Sequence, residues 1–167
     1  HAKNENASQT YATITKYFVI FGSIILLCVI VFADLLKLIL IPNPEYWAAM
    51  KVVPLIILAN FFLGIYTSLS VWYKLIDKTK IGAYISIIGA VVTLAFNYIL
   101  IPIYSYMGSA IATLAAYGTM MVISYKLGQK QYPIPYDKPK IFGYLSVSIT
   151  LSALTFYVPM LHNYYFG

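Results

Sequence analysis

The sequence predicts an all-α integral membrane protein, five transmembrane helices joined by short loops. Apolar stretches occupy residues 17–41, 52–73, 81–104, 107–125 and 141–161, which is nearly the whole chain. Hydrophobic residues make up 61% of it and charged residues 10%, far from the balance of a water-soluble domain. Nearly every lysine falls on one side once the five stretches are threaded through a bilayer. A helix needs about 20 apolar residues to cross a hydrocarbon layer about 30 Å thick, and each stretch meets or approaches that length. Lipid offers the backbone no hydrogen-bond partners, so such runs are helices and not open strands.

The elements come in this order. Residues 1–16 are polar, and Asn6 or Ser8 is placed to cap a helix that runs on into the first span. Pro42-Asn43-Pro44 then stops the chain. Asn43 suits an N-cap, Pro44 the first helical position and Glu45 the first turn, so a short surface helix with Tyr46, Trp47 and Lys51 is expected. Pro54 kinks or restarts the helix at the second span. Residues 74–80 form a tight, charged link, and residues 103–106, after Pro102, a tighter one. Both links make the helices they join antiparallel neighbours. Gly128 is expected to end the fourth helix in the left-handed conformation, and Pro133, Pro135 and Pro139 to keep the next segment extended. That longest loop is too short to separate two domains.

Charge sets the expected orientation. With the N-terminus inside, residues 1–16, 74–80 and 126–140 carry nine lysines against three acids (Glu5, Asp77, Asp137). The outside carries Lys37 and Lys51 against Asp34 and Glu45. The whole net charge of +6 therefore lies on one side, as the positive-inside rule requires of a cytoplasmic face. The chain has no arginine and no basic stripe, so its basic balance points to topology and anionic lipid headgroups, and not to nucleic acid. Tyrosines cluster at the ends of the spans, as in Trp72-Tyr73 and Tyr104 with Tyr106, where headgroups suit an amphipathic ring. The single Cys28 lies within the first span and reads as a small packing residue. The chain has neither an initiator Met nor a signal peptide and stops just past a helix, so a piece of a larger membrane protein is expected.

Helices in lipid associate through small residues and polar bonds, since burying Leu against Leu gains nothing there. Asn60, Gly64 and Ser68 share one face of the second span. Gly82, Ser86, Gly89, Ala90, Thr93 and Asn97 mark a face of the third, and Gly108, Ala112, Ala115, Ala116 and Thr119 one of the fourth. Most of these are packing residues. An amide in hydrocarbon costs a few kcal/mol unless paired, so Asn60 and Asn97 must face a partner helix or a wet cavity. Asp34 and Lys37 are the ionisable residues inside a span. Their i, i+3 spacing lets them neutralise each other near the outer interface, and Lys51 reaches to the same interface. A role for these charges in holding an anionic substrate is the sharper alternative. The histidines stand near the two ends, and no metal, P-loop or nucleophile motif occurs. No cofactor and no catalytic site are expected.

Leu63-Gly64-Ile65-Tyr66 through Trp72-Tyr73-Lys74, then Asp77-Lys78-Thr79-Lys80 with Gly82-Ala83, resembles the C-terminal half of bacterial polysaccharide flippases. These belong to the multidrug/oligosaccharidyl-lipid/polysaccharide exporter superfamily. Asn97, Ile101-Pro102, Gly108-Ser109-Ala110, Ala112-Thr113 and Tyr117 continue the resemblance, as does Tyr132-Pro133-Ile134-Pro135-Tyr136. It covers residues 3–140, so residues 1–140 read as a polysaccharide-biosynthesis C-terminal-type membrane domain and 141–167 as an additional helix. Ser105 departs from the pattern by standing where the family has Gly in a turn. A Ser can occupy a tight turn if its φ stays negative, so the departure is expected to change the turn more than the fold.

The resemblance implies a fragment of a two-lobe transporter of 12–14 helices in a bacterial inner membrane. Such a protein carries a polyprenyl-diphosphate-linked oligosaccharide by alternating access. The implied partners are that substrate, membrane lipids, an N-terminal lobe and polysaccharide assembly enzymes. Asn60, Ser68, Asn97 and Thr113 would line the pathway. The alternatives are a multidrug or cation antiporter lobe, a membrane-embedded glycosyl or polyprenyl transferase or polymerase, and a non-catalytic scaffold.

Overall fold

The computed structural model describes the backbone of residues 2–32, 35–36, 39, 43 and 51–166, and side chains from residue 7 to residue 154, apart from 152 and the gaps in the backbone. Every regular element among them is helical: α1 (Ala2–Val31), α2 (Val53–Leu69), α3 (Val71–Leu75), α4 (Lys80–Tyr104), α5 (Tyr106–Gln131) and α6 (Lys138–Phe166). Among the described residues, Ala7–Val31, Val53–Leu75, Lys80–Tyr104 and Tyr106–Gln131 are long and apolar enough to cross a membrane. The fifth expected span, 141–161, is helical within α6, although its last third lies outside the described side chains.

α1 starts earlier than expected. It is helical from Ala2, so Ser8 lies inside it and neither Asn6 nor Ser8 is a cap. The expected surface helix and the pair Asp34 and Lys37 fall outside the described residues. Lys51 and Val52 form an exposed-to-intermediate 3₁₀ turn, and Pro54 sits in the first turn of α2, where its missing N–H costs nothing.

α1 and α2 pack antiparallel through a reciprocal contact. The ring of Phe61 covers Gly22, the ring of Phe18 covers Gly64, and the two rings stack with centroids 6.4 Å apart. One helical turn nearer the lysine-rich end, the hydroxyls of Thr15 and Ser68 share a hydrogen bond of 2.9 Å. The small-residue stripe of α2 is thus a helix-packing seam over Gly64 and Ser68. α2 runs parallel to α5, and α4 and α5 form an antiparallel hairpin; α6 lies mainly along α1.

Trp72 and Tyr73 correct the expectation of an interfacial pair. Trp72 is 1% exposed and Tyr73 is buried as well. The indole N–H of Trp72 donates to the carbonyl of Ser124, 3.1 Å away, and its ring lies over Gly128. A buried carbonyl serves the indole as well as a headgroup would. Gly128 itself lies within the last turn of α5 and has no positive φ. α5 runs on to Gln131, so Gly128 is needed for the approach of Trp72 and not as a left-handed terminator. Pro139 likewise lies in the first turn of α6, and only residues 133–137 are extended.

Two turns carry a positive φ. After α3, Asp77 (φ 53°) stands at the first position beyond the cap. Lys78 N–H donates to Tyr73 O (2.8 Å) and Asp77 N–H to Lys74 O (3.3 Å), which is a Schellman closure with Asp in the place glycine favours. Between α4 and α5 the whole connection is Ser105, at φ 52° and ψ −131°. The φ is positive, so the Ser fits the turn under strain while the antiparallel hairpin is kept. A turn this short reverses two helices only through that region, which L residues disfavour.

Candidate functional site

The four candidate pathway residues lie in different settings. Ser68 is taken up by Thr15 in the α1–α2 seam. Asn60 is exposed on α2, and its amide N–H donates to Ile56 O in its own helix (2.8 Å). Thr113 back-bonds to Ser109 O (2.9 Å), as Thr93 does to Gly89 O and Thr119 to Ala115 O. Asn97 is half-buried on α4, and its side-chain oxygen is buried with no partner. The facing of Gly89 with Met120 and of Gly108 with Leu100 sets the register of the α4–α5 hairpin. That register brings Asn97 level with Ala112 and Thr113. The register of α1 and α2 brings Asn60 level with Ser23 instead. The structure therefore aligns Asn97 with Thr113 in depth and sets Ser68 apart, one helix pair away and nearer the lysine-rich end.

Two further buried hydroxyls escaped the sequence reading. Ser23 on α1 and Ser124 on α5 each have a buried oxygen with no partner. Ser124 was within reach of the argument. It continues the four-residue stripe Gly108, Ala112, Ala116 and Met120, all buried against neighbours. Ser23 carries no such signal. Cys28 is exposed on α1 and so is not a core packing residue. Lys51 is exposed at the start of α2.

A part-enclosed space lies elsewhere. At the lysine-rich end, α1, α2, α5 and the start of α6 surround a crevice of about 280 Å³. Ile65, Leu69, Met121, Tyr125, Phe142 and Leu145 make most of its wall, and Lys126 and Lys138 border it. The extended 133–137 segment closes one side. Ile134 is buried, its carbonyl accepts from the Gln129 amide (2.9 Å), and Tyr136 packs at 6.1 Å from the Tyr125 ring. Burial, helped by Tyr125, pushes the Tyr136 phenol up to about 12, so it stays neutral. Asp137 pairs with Lys140 at 3.0 Å, which holds the Lys140 ammonium above its usual range. No group of His, Cys, Asp or Glu suited to a metal occurs among the described residues.

Several long apolar helices joined by short turns define a multi-pass helical membrane protein. The family model that matches is MatE, over residues 2–99. The chain belongs to the MatE family, whose members are transporters of the exporter and flippase superfamily that the sequence resembles. No curated protein and no solved structure matches it.

Proposed function

We propose that the chain is part of a flippase that moves a polyprenyl-diphosphate-linked oligosaccharide across a bacterial inner membrane for surface polysaccharide or lipopolysaccharide synthesis. The MatE match over residues 2–99 supports the transporter class. The finer reading rests on the motif residues from Leu63 to Tyr136, read with residues 1–140 as one C-terminal-type domain. Two bundles rock about a wet cavity at mid-membrane while the lipid tail stays in the bilayer, and no bond is made or broken. An N-terminal lobe supplies the rest of the cavity, and the lysine-rich face lies in the cytoplasm. Asn97 is the residue that best suits the pathway, because its side-chain oxygen has no partner here and accepts a sugar hydroxyl when opening of the bundle uncovers it.

An antiporter lobe of the same superfamily is the runner-up. It asks for a carboxylate deep in a span; the four described spans carry none, and Asp34, late in the first apolar stretch, lies too near the outer interface by its place in the sequence. In a strain lacking the whole protein, lipid-linked glycan of full length accumulates on the cytoplasmic face while surface polysaccharide is lost. A precursor arrested at a shorter sugar chain would instead identify an assembly enzyme and defeat the flippase reading. Asn97→Asp and Asn97→Leu should each lower export at unchanged protein level. Export left intact by both would remove Asn97 from the pathway.

A further inference from the structure

The crevice at the lysine-rich end has a composition that a helix-packing gap does not need. Its open lining is wholly apolar. Thr15 is the one hydroxyl-bearing aliphatic residue in its wall, and that hydroxyl is already bonded to Ser68. Water finds few partners there, so the space suits hydrocarbon. Its border is cationic. Lys126 and Lys138 are exposed, and neither forms an ion pair among the described residues. The nearby acid, Asp137, is neutralised by Lys140 at 3.0 Å, and Tyr136 stays uncharged. Two ammonium groups thus face the headgroup level above an apolar slot.

We propose that this crevice is a binding site for an anionic phospholipid of the bilayer, with one acyl chain in the slot and the phosphodiester between Lys126 and Lys138. A zwitterionic lipid fills the slot but cancels its own charge at the lysines. A soluble phosphate meets the lysines but leaves the slot empty. Only a ligand with both parts uses the whole site, and of such ligands an anionic phospholipid is the one present throughout the lysine-facing leaflet. The site is independent of the transport reading, because it lies at the lysine-rich end of the bundle, on the α1–α6 side, and not at the depth of Asn97.

Purified protein is exchanged in detergent against dioleoylphosphatidylglycerol or dioleoylphosphatidylcholine, and retained lipid is read by native mass spectrometry. Phosphatidylglycerol should be retained about 25-fold over phosphatidylcholine, since each of the two lysines near a headgroup contributes about fivefold. Lys126→Gln with Lys138→Gln should abolish that preference. Arginine at both positions should restore it, and Lys80→Gln, at the start of α4 and away from the crevice, should change it less than about twofold. A phosphatidylglycerol carrying a diazirine in its acyl chain should crosslink the unaltered protein at Met121, Tyr125 or Phe142. This readout does not depend on any variant folding. Equal retention of the two lipids, selectivity surviving the double glutamine variant, or crosslinks spread over α4 would each overturn the site.

Discussion

The two ends of this bundle are built differently. At the lysine-rich end the helices are tied to one another by side chains. Trp72 reaches the Ser124 carbonyl at 3.1 Å, Thr15 meets Ser68 at 2.9 Å, and the Tyr66 and Tyr73 hydroxyls stand 3.4 Å apart. Tyr73 also covers Gly82, which joins the start of α4 to the end of the second span. At the opposite end α4 is held to α5 by one residue of turn and by close backbone packing. There its outer half shows apolar side chains freely, with Leu94 70% and Tyr98 86% exposed. α1 and α2 stay packed at that end through Leu26, Ile30 and Leu58, so the difference lies in how α4 is held, and it can be attacked piece by piece.

The largest effect should come from Trp72. Truncation to Ala empties a fully buried site between α3 and α5 and should cost about 3–5 kcal/mol. Trp72→Phe keeps most of the volume and removes the bond to Ser124, for about 1 kcal/mol. Both are read as the loss of helical circular dichroism on heating in detergent. If Trp72→Ala melted like the parent, the laced end would not be what holds these helices together.

Gly108 tests the open end. A Cβ there would lie 2.6 Å from the carbonyl carbon of Leu100, which is backbone and has no rotamer to yield. Gly108→Ala should therefore cost about 1–3 kcal/mol by forcing α4 and α5 apart. The same change at Gly143, which has nothing within 4 Å, should be harmless or slightly stabilising, since it improves helix propensity. Equal effects at the two glycines would mean that the α4–α5 contact is not tight.

Local interactions were legible in the sequence, and remote ones were not. Helices came from the length of apolar runs, and that signal survives any packing. The stripe Asn60, Gly64, Ser68 announced a shared face but not what covers it. Only the α1–α2 register shows Gly64 and Ser68 meeting Phe18 and Thr15, with Asn60 left outside. Trp72 read as interfacial because the same amphipathic ring satisfies its N–H equally with a headgroup or with a helix carbonyl fifty residues away. Gly128 read as a terminator because its partner in space, Trp72, is equally remote. The crevice was invisible. It exists because α6 folds back along α1, and nothing in the local pattern of residues 138–154 says which helix they meet.

Ser105 sharpens the comparison from the stabilising side. Its φ of 52° with ψ of −131° lies where only glycine rests without strain, and such strain costs about 1–3 kcal/mol. Ser105→Gly should raise stability by about 1 kcal/mol after the extra freedom of the unfolded glycine is deducted. Ser105→Ala should give no such gain, because it keeps the Cβ. Equal gains from both would point to the hydroxyl as the source of strain instead of the backbone.

The smallest effect is expected at the rim of the laced end, where the Lys78 ammonium donates to the Gln131 side chain at 3.0 Å. Both residues are exposed, so water replaces either partner at little cost. Lys78→Ala should shift stability by less than about 0.5 kcal/mol. The Schellman closure beside it is made by the backbone, through Lys78 N–H and Asp77 N–H, and survives the change. A loss as large as that of Trp72→Phe would show that the lacing is spread over polar surface contacts. A loss near zero would confine it to the buried ring and the residues it touches.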